Sequence, residues 1–136
     1  MLLVIDVGNT NIVAGVFEGK ELKTHWRFST DRSKTADEYG ILLRSMFDYC
    51  DVPMKEVTSV ILSSVVPPVV VPLCHMCERY FGVKPLVVGP GIKNGISIFK
   101  RLFEINFGWR PITYLISEFC IITHNNFTTC GKDSFP

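Results

Sequence analysis

Asp6, Gly8, Asn9, Thr10 and Asn11 stand close together near the N-terminus, in Leu2-Leu3-Val4-Ile5-Asp6-Val7-Gly8-Asn9-Thr10-Asn11-Ile12-Val13. Together these residue types can hold a phosphorylated ligand. Gly tolerates a positive φ and Asn tolerates it better than most residues, so Gly8 and Asn9 favour a tight turn. Such a turn gathers backbone N–H groups into a concavity that suits phosphate oxygens. A carboxylate beside it can hold Mg²⁺, directly or through water, because hard cations take oxygen ligands. One short stretch therefore offers both halves of an Mg-nucleotide site. Asp-x-Gly-Asn is also an ordinary hairpin turn. Two features favour chemistry. Asp6 places a charge at the end of a buried apolar run, where a merely structural turn needs none. The spacing also differs from the Gly-rich Walker loop, so this is a different phosphate-binding device.

The elements that must position this turn can be read on either side of it. Leu2 to Ile5 is a continuous apolar run, as expected of a strand buried on both faces. Ile12 to Phe17 predicts a second strand doubling back beside it, and Glu18-Gly19-Lys20 a turn. Leu22 to Ser29 alternates as a third strand, with His25 lining a face rather than acting as a base. Thr30 to Lys34 is a polar loop. Thr35 is an N-cap, with Glu38 completing a capping box. Tyr39, Leu42, Leu43, Met46, Phe47 and Cys50 then mark one face of an amphipathic helix, ended by Asp51-Val52-Pro53. Val57 to Ser64 is a fourth strand ending in two serines, and Val65-Val66-Pro67-Pro68 a turn. Val69 to Phe81 is a second helix buried along Leu73, Met76, Cys77, Tyr80 and Phe81. Pro72 fits only in its first turn, and Gly82 follows as a C-terminal cap. Lys84 to Val88 is a fifth strand, and Gly89 to Gly95 a Gly-rich loop.

This order predicts an α/β fold: a three-stranded antiparallel meander followed by α-β-α-β, the layout of a ribonuclease H-like domain. The helical crossovers imply parallel pairing with right-handed connections. Ligands in open α/β sheets gather at the carboxyl ends of strands, where Asp6 and Ser63-Ser64 would meet.

Composition narrows the choice of function. The 136 residues are 47% hydrophobic and 20% charged, which fits one globular domain. Fourteen basic and 13 acidic side chains leave a net charge of +1, so charge offers no argument for a nucleic acid or membrane partner. No stretch approaches the ~20 apolar residues of a transmembrane helix. The N-terminus lacks a signal-peptide pattern, so the expected compartment is the cytoplasm and the five cysteines are expected to be reduced. Cys74-His75-Met76-Cys77 has metal-site spacing but no second pair; two core-facing thiols one turn apart is the simpler reading, metal or redox chemistry the other. Cys120, His124 and Cys130 lack an obvious fourth ligand. Asn126-Phe127-Thr128 is a glycosylation sequon, without meaning in the cytosol.

Four segments taken in order resemble type III pantothenate kinase. They are Asp6 to Asn11, Ser29 to Gly40, Ser63 to Pro68, and Val87 to Gly91. The resemblance runs from Met1 to about Ile98. It implies a fold of the actin-like and sugar-kinase superfamily and ATP-dependent phosphorylation of pantothenate, the first step of coenzyme A synthesis. It also implies that Asp6, Val7, Gly8, Asn9, Thr10, Asn11, Ile12 and Val13 form the first phosphate motif. Asp6 would orient Mg²⁺ through water. A cytoplasmic homodimer requiring a monovalent cation, K⁺ or NH₄⁺, is implied as well, and no ligands for that cation are found in this chain.

Beyond Ile98 the pattern stops. The Gly-Ala-Asp-Arg motif that supplies the family's catalytic aspartate and grips pantothenate is absent; Gly108-Trp109-Arg110 comes nearest and has no carboxylate. The second phosphate motif, Asp-x-Gly-Thr, is absent too. Residues 1–98 are therefore expected to be the N-terminal half of such a kinase, and 99–136 a divergent tail of the kind a truncation or frameshift produces. In the tail, Phe103, Ile105 and Phe107 alternate like a strand, and Ile112 to Thr123 is strand-like. No catalytic residue is assigned in this chain. The rival expectations are an inactive nucleotide-binding fragment and a transcription accessory factor of the same fold.

Overall fold

The computed structural model describes residues 1–19 and 21–88. The Gly89–Gly95 loop, the strand-like stretches of the tail, Cys120, His124 and Cys130 lie outside the described residues.

Five strands form one sheet. They are β1 (Leu2–Val7), β2 (Asn11–Glu18), β3 (Glu21–Ser29), β4 (Ser59–Ser64) and β5 (Leu86–Val88), in the order β3-β2-β1-β4-β5. The first three are an antiparallel meander, and β4 runs parallel to β1 and β5. Helix α1 (Ala36–Tyr49) crosses from β3 to β4, and α2 (Pro67–Met76) from β4 toward β5. β1 is thus the central strand, which explains why its residues are apolar on both faces.

The period of two divides the strands into two cores. Leu3, Ile5, Val7, Ile12, Ala14, Val16, Val60 and Leu62 pack against Tyr39, Leu43 and Phe47 of α1 and Val69, Leu73 and Met76 of α2. Leu2, Val4, Val13, Phe17 and Ile61 form a second cluster on the opposite face. Phe47 joins the helices to the sheet, its ring 4.9 Å from that of Trp26 and 5.5 Å from that of Phe81. Trp26 also donates its indole N–H to the Cys50 sulfur at 3.4 Å, which fastens the end of α1 to β3.

Both ends of α1 follow from local chemistry. Thr35 accepts from the Glu38 N–H, and the Glu38 carboxylate accepts from the Thr35 N–H at 2.7 Å. The reciprocal cap satisfies two donors that would otherwise be orphaned. Beyond the helix Asp51 takes a positive φ of 54°, which stops the α conformation before Pro53.

The structure moves several expected boundaries; β2 and β3 each begin one residue earlier, at Asn11 and Glu21, and β2 runs on to Glu18. β1 continues through Asp6 to Val7, because both residues still have ladder partners on β2 and β4. β4 starts at Ser59 rather than Val57, since a 3₁₀ turn at Met54–Glu56 binds the Val57 N–H. β5 starts at Leu86 rather than Lys84, because Pro85 has no N–H to offer a ladder. Helix α2 starts at Pro67 rather than Val69. The first two helical positions need no N–H partner, so Pro67 and Pro68 fit there. Pro72 consequently lies in the second turn, inside the helix, rather than in the first. After Met76 the helix widens into a π turn, Cys77–Phe81, and ends at Gly82 with φ 67°. Among the described residues no helix is long and apolar enough to cross a membrane.

Candidate functional site

Register brings the expected site residues together at the carboxyl end of β1. Asp6 stands between Val13 of β2 and Ser63 of β4, and Val13 in turn pairs with Arg27 of β3. Residues directly opposite one another in a sheet share a face. Arg27, Val13, Asp6 and Ser63 therefore form a row on the face opposite α1 and α2. Asp6 is half-buried there, beside the second apolar cluster.

The two serines that end β4 part company. Ser63 shares the row with Asp6. The Ser64 hydroxyl accepts from the Val66 N–H at 3.0 Å and donates to the Val66 carbonyl at 3.1 Å. It shapes the chain where it enters α2, and Ser64 is a structural residue. The Val65 N–H donates to the Val7 carbonyl at 3.1 Å, which ties the two strand ends together.

Between β1 and β2 the chain reverses through a turn closed by the Gly8 N–H donating to the Asn11 carbonyl at 2.9 Å. A Cβ on Gly8 would lie 3.1 Å from that oxygen, so the close approach selects glycine. Asn9, Thr10 and Asn11 are exposed. Among the described residues no acceptor takes the backbone N–H of Asn9 or Thr10. Val7, Ile12 and Val13 are buried. They carry the turn as ladder residues, and only their backbones could meet a ligand.

Thr30, assigned from sequence to a polar loop, reaches this turn from the end of β3. Its hydroxyl donates to the Gly8 carbonyl at 2.7 Å, and its N–H donates to the Thr10 carbonyl at 2.9 Å. The loop that carries it is itself held. The Tyr39 hydroxyl, on a fully buried residue, donates to the Asp31 carbonyl at 2.6 Å. The Asp31 carboxylate accepts from the Ser33 N–H at 2.9 Å and its hydroxyl at 2.6 Å, and pairs with Lys34. Those hydrogen bonds, with Lys34 nearby, hold the Asp31 pKa down to about 2. Sequence alone offered no signal for the Thr30 contact beyond its place in the second resembling segment.

The remaining candidates lie elsewhere. His25 sits opposite Gly15 in the sheet, and burial, with Arg27 nearby, lowers its pKa. That suits a neutral face-lining residue. Cys77 is fully buried and its thiol is pushed up to about 12, so it behaves as a small core residue; Cys74 is half-buried. Among the described residues no cluster of His, Cys, Asp or Glu could cage a metal ion. A single carboxylate at a strand end is how Mg²⁺ is commonly held when phosphates and water supply its other ligands.

The family model for type III pantothenate kinase matches residues 2–101. A relative described as type III pantothenate kinase, from Exiguobacterium sp. (strain ATCC BAA-1283 / AT1b), is 61% identical over 98 residues. That alignment covers 72% of this chain and 39% of the relative, so the chain spans about two-fifths of the relative's length. Among solved structures, the ROK hexokinase from Thermus thermophilus superposes with a TM-score of 0.50 at 18% identity, over 64% of this chain and 34% of that one. At that identity the likeness speaks to fold alone, the antiparallel meander continued by parallel crossovers.

Proposed function

Because the chain belongs to the type III pantothenate kinase family, we propose that residues 1–98 are the ATP-holding half of an enzyme that phosphorylates pantothenate. Residues 99–136 would then be a separate, divergent tail. One observation carries the reading most directly. Asp6 faces Ser63 at the carboxyl end of the central strand, next to an exposed turn whose Asn9 and Thr10 amides have no acceptor among the described residues. Phosphoryl transfer depends mainly on positioning and charge stabilisation, and this turn suits both.

In this reading the backbone from Asp6 to Val13 lines the phosphates, with Gly8, Asn9, Thr10 and Asn11 in contact. Asp6 would hold Mg²⁺, and the ion would supply neutralisation of phosphate charge. The donor set fits, since a carboxylate and a hydroxyl on one row are hard oxygen ligands. A monovalent cation, a homodimer and a cytoplasmic setting accompany the family and are proposed with it. The sequence contains no Gly-Ala-Asp-Arg, so the attacking hydroxyl finds no assigned base here. The kinase reading is favoured over a regulatory relative by 61% identity to a pantothenate kinase.

The test is calorimetric titration of the 136-residue chain with ATP, with and without Mg²⁺, beside Asp6→Asn. Mg-dependent binding that the substitution weakens is expected, with a thermal midpoint close to wild type. Equal affinity for both proteins overturns the role given to Asp6.

A further inference from the structure

We propose that Thr30 is a positioning residue that sets the polarity of the Gly8–Asn9 peptide in the Gly8–Asn11 turn, keeping the Asn9 amide outward for an anionic ligand. The inference rests on the reading of that turn as a phosphate site, and names a residue outside the turn that makes it one.

In a trans peptide the C=O and the following N–H point in opposite directions. The Thr30 hydroxyl takes the Gly8 carbonyl at 2.7 Å, which aims the Asn9 N–H the other way. The Thr30 N–H takes the Thr10 carbonyl, extending by one step the ladder that pairs Asn11 with Ser29. With the Gly8 N–H on the Asn11 carbonyl, the carbonyls of Gly8, Thr10 and Asn11 all have donors within the protein. An exposed Gly-Asn turn without that hold can rotate its Gly8–Asn9 peptide, since Gly8 accepts most backbone conformations. Rotation would exchange an outward N–H for an outward carbonyl, and an oxygen facing phosphate repels it.

Thr30 can do this because its own place is fixed from α1. Tyr39 holds both backbone groups of Asp31, accepting its N–H at 3.3 Å and donating to its carbonyl at 2.6 Å. Asp31 closes the following turn on Ser33. The capped start of α1, the Tyr39 ring and the turn of the first strand are thereby one connected framework.

Thr30→Val removes the hydroxyl at nearly constant shape, and Thr30→Ser keeps it. Amide NMR signals and hydrogen exchange at Asn9 and Thr10, Mg·ATP titration and thermal melting are read on each full chain. Thr30→Val is expected to shift the Asn9 and Thr10 amides and weaken Mg·ATP binding roughly tenfold, the factor of an ordinary hydrogen bond. Thr30→Ser is expected to restore both to near wild type, which a general loss of stability would not explain. Unchanged Asn9 and Thr10 amides in Thr30→Val would overturn the hold on the turn. Shifted amides with undiminished affinity would overturn its bearing on phosphate. A wild type that binds no Mg·ATP while Thr30→Val shifts the amides overturns the phosphate reading and leaves Thr30 as a fold-stabilising clamp.

Discussion

Gly40 and Tyr80 share one space. A Cβ on Gly40 would come within 2.5 Å of the Tyr80 ring, at Cδ2 and Cζ, so α1 and the π turn after α2 touch through a missing side chain. The ring is held there by its hydroxyl, which donates to Asp37 at 3.0 Å, while Arg79 pairs with the same carboxylate at 2.9 Å. Glycine in a helix interior costs about 1 kcal/mol relative to alanine. The contact with Tyr80 offsets that cost.

Gly40→Ala is therefore expected to destabilise the fold, by about 1–2 kcal/mol, as overpacking outweighs the helix gain. In a Tyr80→Ala background the same substitution should change sign and stabilise by about 1 kcal/mol. Urea midpoints of the four proteins form the cycle. The same sign in both backgrounds would show that the ring moves aside freely.

Pro72 lies one helical turn beyond Pro68 and has no N–H for the Pro68 carbonyl. Pro72→Ala supplies that donor and should raise stability by about 1–2 kcal/mol, after allowance for a freer unfolded chain. Denaturant unfolding measures it. A loss of stability would mean that packing of the proline ring outweighs the missing hydrogen bond.

Asp31 predicts a response to acid. Its pKa is about 2 in the folded chain against an ordinary 3.8, so the folded state favours the ionised form. That stabilisation is complete above 3.8 and is lost as pH falls through about 2. Melting temperatures of wild type should fall more steeply between those pH values than those of Asp31→Asn. Parallel curves would remove the Ser33 and Lys34 contacts from the account of this loop.

The chain by itself is expected not to phosphorylate pantothenate. A positioned base is worth about 10²–10⁴ in rate, and correct placement of two reactants ~7–11 kcal/mol. Asp6 belongs to the metal side of ATP in the proposed site, and Asp133 matches no family motif. The assay is ATP-dependent phosphopantothenate formation by the purified chain with Mg²⁺ and K⁺ or NH₄⁺. Turnover at a kinase-like rate, abolished by Asp6→Asn, would reveal a base among the remaining residues.

Much of this protein is written locally. Strand and helix types, their order, the Thr35–Glu38 cap and the cap at Gly82 depend on residues a few positions apart, where side-chain period and backbone preference act directly. The turn after Asp6 was legible from its Gly and Asn, although neither takes the positive φ expected of them; what Gly8 supplies is room beside the Asn11 carbonyl. Tertiary structure decided what depends on register and packing. The pairing of Asp6 with Ser63 follows from the alignment of β1 and β4, and Pro72 takes its place from a helix that begins at Pro67. The grip of Thr30 on Gly8 spans 22 positions, and the fit of Tyr80 on Gly40 joins two helical segments. No residue carries information about a neighbour that far along the chain. Those contacts arise only when burial of the shared core brings the elements together, and a missing Cβ or a single hydroxyl then determines how closely they fit.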